Sequence, residues 1–246
     1  MLSIHRPQAK AYRSNEQFGH YLAGLIDGDG HFDTQGCFVL AFNSRDRQLA
    51  EYIRSRLGHG KIYKVQNKSC VVLKIFTSKG LIVLSKLIHN KLKHPSRINQ
   101  FNTRITTLPK LNDEIKSTSL DTTINFNTAW FAGFVDADGQ LVIRSVKREN
   151  RARPEIRLHL KIDQKSNILL EQFQNQFGGY LGYRALQDTY YYSSTSFENM
   201  RKVLSYFDKF TPQNKYVCLQ YVILRKSYLM VQSKEHLTQH GLSSEA

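Results

Sequence analysis

Two short acidic segments hold the residues best suited to chemistry, Asp27-Gly28-Asp29-Gly30 and Asp136-Ala137-Asp138-Gly139. Each presents two carboxylates one residue apart and then a glycine. Carboxylates are hard oxygen donors, and Mg²⁺ is typically held by one or two of them together with water and phosphate oxygens. For one segment alone, an equally good reading is that Asp-Gly closes a helix, with glycine as the cap and the aspartate solvated. Two copies in the same context favour the cation.

The segments leading into these pairs must position them. Tyr21–Ile26 and Trp130–Val135 are apolar, and position 130 lies 109 residues after position 21, as 136 does after 27. A unit repeated at that distance is the mark of a duplicated architecture. Phe18, Tyr21, Leu22 and Leu25 recur at helical spacing. Ala23-Gly24 and Ala132-Gly133 strip side-chain bulk from one patch of each run. Small residues let two helix backbones approach closely, a geometry best known from membrane helices. Glycine inside a helix costs up to about 1 kcal/mol, so its presence in both copies points to close packing. Helices packed side by side here bring their C-terminal ends together, with Asp29 and Asp138 beside a pseudo-two-fold axis. There each carboxylate faces an adverse helix dipole and the other's charge, and a bound cation relieves both.

The runs Leu22–Gly30 and Phe131–Gly139 resemble the signature of the LAGLIDADG homing endonucleases, in the monomeric form that carries two motifs in one chain. The first copy departs from the family name at Gly28, and the second carries Phe131, Phe134 and Val135. The resemblance covers roughly residues 14–232. It implies an α+β fold of two pseudo-symmetric αββαββα units packed through the motif helices, their antiparallel sheets forming a DNA-binding saddle.

Composition agrees with a polyanion partner. The 246 residues carry a formal net charge of +15, with a pI near 9.7, so nucleic acid leads and an anionic membrane surface follows. No apolar run approaches the roughly eighteen residues of a membrane span. Cys37, Cys70 and Cys218 are far apart and odd in number, which disfavours a disulfide framework or a zinc site and fits a reducing, intracellular compartment. No phosphate-binding loop of the G-x-x-x-x-G-K-[ST] kind is present, so ATP use is not implied.

Along the chain, residues 1–14 read as a basic arm with Arg6, Lys10 and Arg13. In the first unit (1–105) the motif helix is followed by strands Gly30–Thr34 and Cys37–Asn43, helix Arg45–Leu57, strands Lys61–Gln66 and Cys70–Phe76, helix Ser78–His89, and a last helix after Pro95. Residues 106–125, with Pro109 and a Ser/Thr-rich run, read as a linker. The second unit (126–232) repeats the order: strands Gln140–Lys147 and Glu155–Asp163 around the loop Arg148–Pro154, helix Asn167–Phe177, strands Tyr180–Leu186 and Thr189–Ser194, and helices Phe197–Phe207 and Pro212–Met230. Residues 233–246 read as a tail.

One strand argues for a nucleic-acid surface. In Ile156–Asp163 every second residue is apolar, which puts Arg157, His159, Lys161 and Asp163 on the outward face. A solvated face is the ordinary meaning of such alternation. Here the row is mostly basic, and side chains of this kind on a β-surface can read base edges in a groove. The same parity selects Gln140, Val142 and Arg144 on the preceding strand, His31, Asp33 and Gln35 in the first unit, and Lys61, Tyr63 and Tyr183 on the third strands. A slip of one residue would reverse every assignment.

The resemblance implies further roles. Asp29 and Asp138, with the backbone carbonyls of Gly28 and Ala137, would hold Mg²⁺ or another divalent cation such as Mn²⁺ or Ca²⁺. Arg97 and Lys215 match the family's basic residue near the scissile phosphate, although a plain surface charge at a helix start has equal weight. Gln164 and Ser44 match the polar residue that holds catalytic water. Asp27 and Asp136 are expected to support the turn or the helix packing. The expected activity is a metal-dependent double-strand break with short 3′ overhangs at a long asymmetric DNA site. The alternative is a group I intron maturase, an RNA-binding splicing cofactor on the same scaffold. An organellar gene, in mitochondrion or chloroplast, and a monomeric protein also follow from the resemblance.

Overall fold

A computed structural model of the protein describes residues 1–5, 12–111, 114–146 and 155–235. Arg6 and Lys10 of the basic arm, the loop at 148–154 and the tail beyond 235 lie outside them.

The first motif run is helix α1 (Asn15–Asp29), started by the Ser14 side chain, whose Oγ accepts from Gln17 N at 3.2 Å. The chain then forms β1 (Gly30–Phe32), β2 (Phe38–Asn43), α2 (Arg47–Leu57), β3 (Lys61–Lys64), β4 (Cys70–Ile75), α3 (Ser78–Ile88) and α4 (Pro95–Arg104). After the linker come α5 (Trp130–Asp138), β5 (Gly139–Val146), β6 (Glu155–Gln164), α6 (Ile168–Phe177), β7 (Tyr180–Arg184), β8 (Thr189–Ser194), α7 (Phe197–Lys209) and α8 (Lys215–Gln232). Among the described residues the strands form two antiparallel four-stranded sheets, β1-β2-β4-β3 and β5-β6-β8-β7, so the repeat is written in the topology. The α+β class and element order read from the sequence hold.

Boundaries shift for physical reasons. The segment Ser44–Asp46 is a tight 3-10 turn fixed by Asn43 Oδ1 accepting from Arg45 N at 3.0 Å, so α2 begins only at Arg47. The last helix starts at Lys215 rather than Pro212, because the N–H groups of Gln213 and Asn214 are committed to Asp136. The linker has no regular structure, yet it is tied down: Asn102 holds the backbone of Thr118 through both its amide nitrogen (2.8 Å) and its amide oxygen (2.9 Å).

Within the described residues the chain divides into two compact units, 12–138 with 213–215, and 1–5 with 139–146, 155–212 and 216–235. In the first, α1 and α5 pack together over buried Phe18, Tyr21, Leu22, Leu25, Trp130, Phe131 and Phe134. In the second, Leu158, Leu160, Ile162 and Tyr192 of the sheet are buried with Phe173 and Phe177 of α6 and Val203, Leu204 and Phe207 of α7. The compact units therefore do not coincide with the sequence halves, since α5 is committed to α1.

The glycines decide how close α1 and α5 come. A Cβ placed on Gly24 would lie 1.9 Å from the Trp130 carbonyl oxygen, and one on Gly133 would lie 1.9 Å from that of Tyr21. No side chain fits between the backbones at either point. Gly24→Ala or Gly133→Ala should therefore each lower stability by about 1–3 kcal/mol or more, as overpacking does. Denaturant unfolding measures this, and a midpoint unchanged in both variants would contradict the contact.

Candidate active site

The close approach of α1 and α5 sets what happens at their C-terminal ends. A Cβ on Gly28 would sit 2.4 Å from the Cβ of Ala137 and 3.2 Å from Asp138 Oδ2. The middle residues of the two acidic segments thus face each other, with room for only one methyl. Gly30 closes α1 at φ −83°, so no left-handed conformation requires glycine there; a Cβ would instead meet Ile26 Cα at 2.7 Å.

Asp29 and Asp138 are brought together. Asp29 reaches solvent, yet partial desolvation first, and then the charge of Asp138, push its carboxyl up to about 7, while Arg97 pulls it down. Arg97, in the first turn of α4, donates through Nη2 to Gly28 O at 3.4 Å. Its guanidinium is lowered by burial, against the attraction of Asp27, Asp138 and Asp29. His94, which accepts from Ser96 N at 3.2 Å, is pushed down to about 4 by burial and by Arg97. The neighbourhood is therefore two acidic helix ends served by one half-buried cation. Among the described residues no group of three or more His, Cys, Asp and Glu side chains converges. A cation here would take two carboxylates, carbonyls such as those of Gly28 and Ala137, and outside oxygens from water or phosphate, which is a donor set that suits Mg²⁺. Such an ion would offset both the desolvation and the repulsion that raise Asp29.

Asp27 and Asp136 sit apart from this exposed edge, 1% and 6% accessible. Asp27 Oδ2 accepts from Lys93 N at 2.7 Å and Trp130 Nε1 at 2.9 Å. Asp136 Oδ2 accepts from Gln213 N at 2.7 Å, Asn214 N at 2.9 Å and Tyr21 Oη at 2.8 Å. Burial pushes each up to about 7. Their bonds are those of packing and turn support, as expected.

The other site residues are more scattered. Lys215 begins α8 and lines a cleft of about 140 Å³ with Arg45, Asp46, Gln48, Tyr52 and Gln213. Ser44 Oγ is buried without a hydrogen-bond partner beside that turn. Gln164 ends β6 opposite Tyr190.

The sheet faces follow the expected parity with two corrections. In the first sheet Val39 pairs with His31 and Lys74, Lys61 with Lys74, and Tyr63 with Val72. His31, Lys61, Lys74 and Tyr63 thus share the face opposite the buried Phe38, Leu40 and Leu73. Asp33 and Gln35 lie in the hairpin turn, where Asp33 Oδ1 accepts from Cys37 N and Gln35 N at 2.8 and 3.0 Å and Oδ2 pairs with Lys74 at 3.0 Å. In the second sheet Gln140 pairs with Lys161, Val142 with His159, and Arg144 with Arg157. Gln140 and Arg144 are exposed, while Arg157 pairs with Glu155 at 3.0 Å.

His159 is the first correction. It is 7% accessible, not exposed, and neither ring nitrogen has a hydrogen-bond partner. Burial, then Lys161, Arg144 and Arg157, hold it below the ordinary histidine range, so it rests neutral among those cations. Tyr183 is the second. It pairs with Tyr190, two residues from the Leu181–Tyr192 pair on the core side, and its hydroxyl donates to Asp188 Oδ1 at 2.8 Å. The basic face is instead completed by Tyr180, Tyr191 and Arg184. Arg184 lies over the Tyr191 ring at 4.3 Å and pairs with Asp163 at 3.0 Å. Tyr190-Tyr191-Tyr192 offers no polar–apolar alternation, so nothing in that run tells which tyrosine faces inward. Among the described residues no helix is long and apolar enough to cross a membrane.

A family model described as LAGLIDADG endonuclease matches residues 131–224. The chain is 42% identical over 245 residues to a cox1 intron-2 37.2 kDa protein of Schizosaccharomyces pombe, covering 98% of this chain and 75% of that protein. It is 32% identical over 178 residues to the intron-encoded DNA endonuclease aI3 of Saccharomyces cerevisiae, covering 62% of this chain and 43% of that protein. To the intron-encoded RNA maturase bI4 of the same yeast it is 24% identical over 223 residues, covering 88% and 33%. The chain thus spans three quarters of the first relative and less than half of the other two. Two DNA complexes of the meganuclease I-SmaMI, one with calcium ions present, share its fold at TM-scores of 0.71 and 0.64, with 20% and 18% identity, each over 92% of this chain and 95% of the other.

The electrostatics of the helix ends can be tested without substrate. Carboxyl NMR of the metal-free protein should show Asp29 titrating near 7, and moving towards the ordinary carboxylate range in Asp138→Asn. Because the folded value lies above the unfolded one, this ionisation costs nothing at low pH, weakens the fold progressively as pH rises from about 4 to about 7, and costs a constant amount above that. A wild-type midpoint near 4 would rule out the shared site.

Proposed function

The chain belongs to the LAGLIDADG endonuclease family, and from that premise we propose that it is a homing endonuclease making a divalent-metal-dependent double-strand break at a long asymmetric DNA site. The observation that carries this reading is the pair of acidic helix ends, Asp29 and Asp138, held within each other's field beside the half-buried Arg97. A DNA-binding protein has no need of that repulsion, whereas metal-assisted phosphodiester hydrolysis uses carboxylates to hold its cation.

In this reading Asp29, Asp138 and the carbonyls of Gly28 and Ala137 hold Mg²⁺, or Mn²⁺ or Ca²⁺ in its place. Such an ion supplies an activated water and neutralises charge on the phosphate. Arg97, and Lys215 for the other strand, stabilise the negative charge that develops on the phosphoryl oxygens. Ser44 and Gln164 orient the attacking water, and their different chemistry makes the two half-sites unequal. The basic faces of the sheets, carrying His31, Lys61, Lys74 and Tyr63 in one and Gln140, Arg144, Arg157, Lys161, Arg184, Tyr180 and Tyr191 in the other, contact the duplex. Cleavage leaves short 3′ overhangs. The chain acts as a monomer, its units 1–105 and 126–232 duplicated about the linker, in the mitochondrion or chloroplast that houses its intron. The similarity to an RNA maturase supports the second reading, a splicing cofactor that uses the same basic faces without both aspartates.

The test is cleavage of a duplex library in Mg²⁺ and in EDTA. Metal-dependent cutting at one long site with staggered 3′ ends is expected, with binding that weakens steeply as salt rises because phosphate contacts release counterions. Tight duplex binding with no cutting in any divalent metal would overturn the nuclease reading and favour intron RNA.

A further inference from the structure

The two buried aspartates do more than fill the helix interface. Position 130 follows 21, and 136 follows 27, by the same 109 residues. The structure uses this repeat in a crossed pattern. Tyr21 of α1 donates to Asp136 of α5 at 2.8 Å, and Trp130 of α5 donates to Asp27 of α1 at 2.9 Å. All four side chains are buried. On the same carboxylate oxygens each aspartate also receives main-chain N–H groups from a loop that leads into a helix. For Asp27 the donor is Lys93 at 2.7 Å, just before α4, whose first turn carries Arg97. For Asp136 the donors are Gln213 and Asn214 at 2.7 and 2.9 Å, immediately before Lys215.

We propose that Asp27 and Asp136 are positioning residues for the cleavage machinery: Asp27, held by Trp130, sets Arg97, and Asp136, held by Tyr21, sets Lys215. The inference rests on the nuclease reading. Each carboxylate clamps its own loop, and the aromatic residue of the other motif fixes the carboxylate. A buried carboxyl oxygen that accepts two or three donors at 2.7–2.9 Å leaves the loop that supplies them little freedom. The basic residue of each half is thereby registered against the helix pair that carries Asp29 and Asp138. Tyr21 and Trp130 couple the two halves, since a shift of one motif helix moves the aromatic donor that fixes the other half's carboxylate.

The experiment is strand-resolved single-turnover cleavage by Asp27→Asn, Arg97→Ala and the double variant, with Asp136→Asn, Lys215→Ala and their double as the second arm. Asp27→Asn should slow, roughly tenfold to a hundredfold, the strand that Arg97→Ala slows, through the rate at saturation and not through binding, as loss of orientation does. In the double variant it should add little to Arg97→Ala, because both changes disable one device. Amide hydrogen exchange at Lys93 should rise in Asp27→Asn and, more weakly, in Trp130→Phe, while Gln213 and Asn214 stay protected. Trp130→Phe removes one donor and keeps the ring, so it serves if Asp27→Asn does not fold. Equal slowing of both strands, or full additivity with Arg97→Ala, would overturn the proposal and leave these residues with packing alone. A wild-type protein that cuts no duplex would fail the nuclease reading instead, while the exchange measurement would still report on the clamp.

Discussion

The carbonyl oxygens of Tyr21 and Trp130 rest against Gly133 and Gly24, and the two motif helices can meet only because those positions lack a Cβ. From that backbone contact the rest of the candidate site descends. It fixes the distance between the helix axes, so Gly28 and Ala137 face each other one methyl apart and Asp29 and Asp138 share one field. It also brings Tyr21 within reach of Asp136 and Trp130 within reach of Asp27. The glycines weaken each helix by roughly 1 kcal/mol relative to alanine, and the buried aromatic interface over which they close offsets that cost.

The two acidic residues of each motif divide the work by burial. The first, two residues earlier on the helix, turns inward and satisfies loop amides. The second stands at the helix end, where dipole and neighbour both oppose its charge. A site built this way is under electrostatic tension, and Arg97 relieves only part of it. The two halves are not equivalent. Arg97 reaches back to Gly28 O at 3.4 Å, whereas Lys215 lines the cleft beside Asp46 and Arg45. The basic residues of the two halves thus stand in different surroundings.

Much of this was legible in the residues. The repeat at 109, the small residues within the apolar runs and the acidic pair after each run specify the paired helices and the facing carboxylates. The alternation of Ile156–Ile162 specifies one face of the second sheet. Elsewhere the local pattern fell short. Tyr190-Tyr191-Tyr192 has no amphipathic signal, so Tyr180 and Tyr183 exchanged places. His159 is buried although its parity faces it outward, and alternation alone does not weigh what covers a strand. The starts of α2 and α8 were misplaced because a side chain held the preceding backbone: Asn43 at one, and Asp136 from more than seventy positions away at the other. A hydrogen bond of that sequence separation leaves no trace in local spacing.

The claim at the centre of this account is that Asp29 and Asp138 together form the site that hydrolyses both strands. Strand-resolved cleavage by Asp29→Asn and Asp138→Asn, with duplex binding measured in parallel, addresses it most directly. The account predicts that each variant loses cleavage of at least one strand, by roughly a hundredfold or more as for removal of a metal ligand or its support, while binding is largely retained. Cutting of both strands at the wild-type rate by either variant would contradict it.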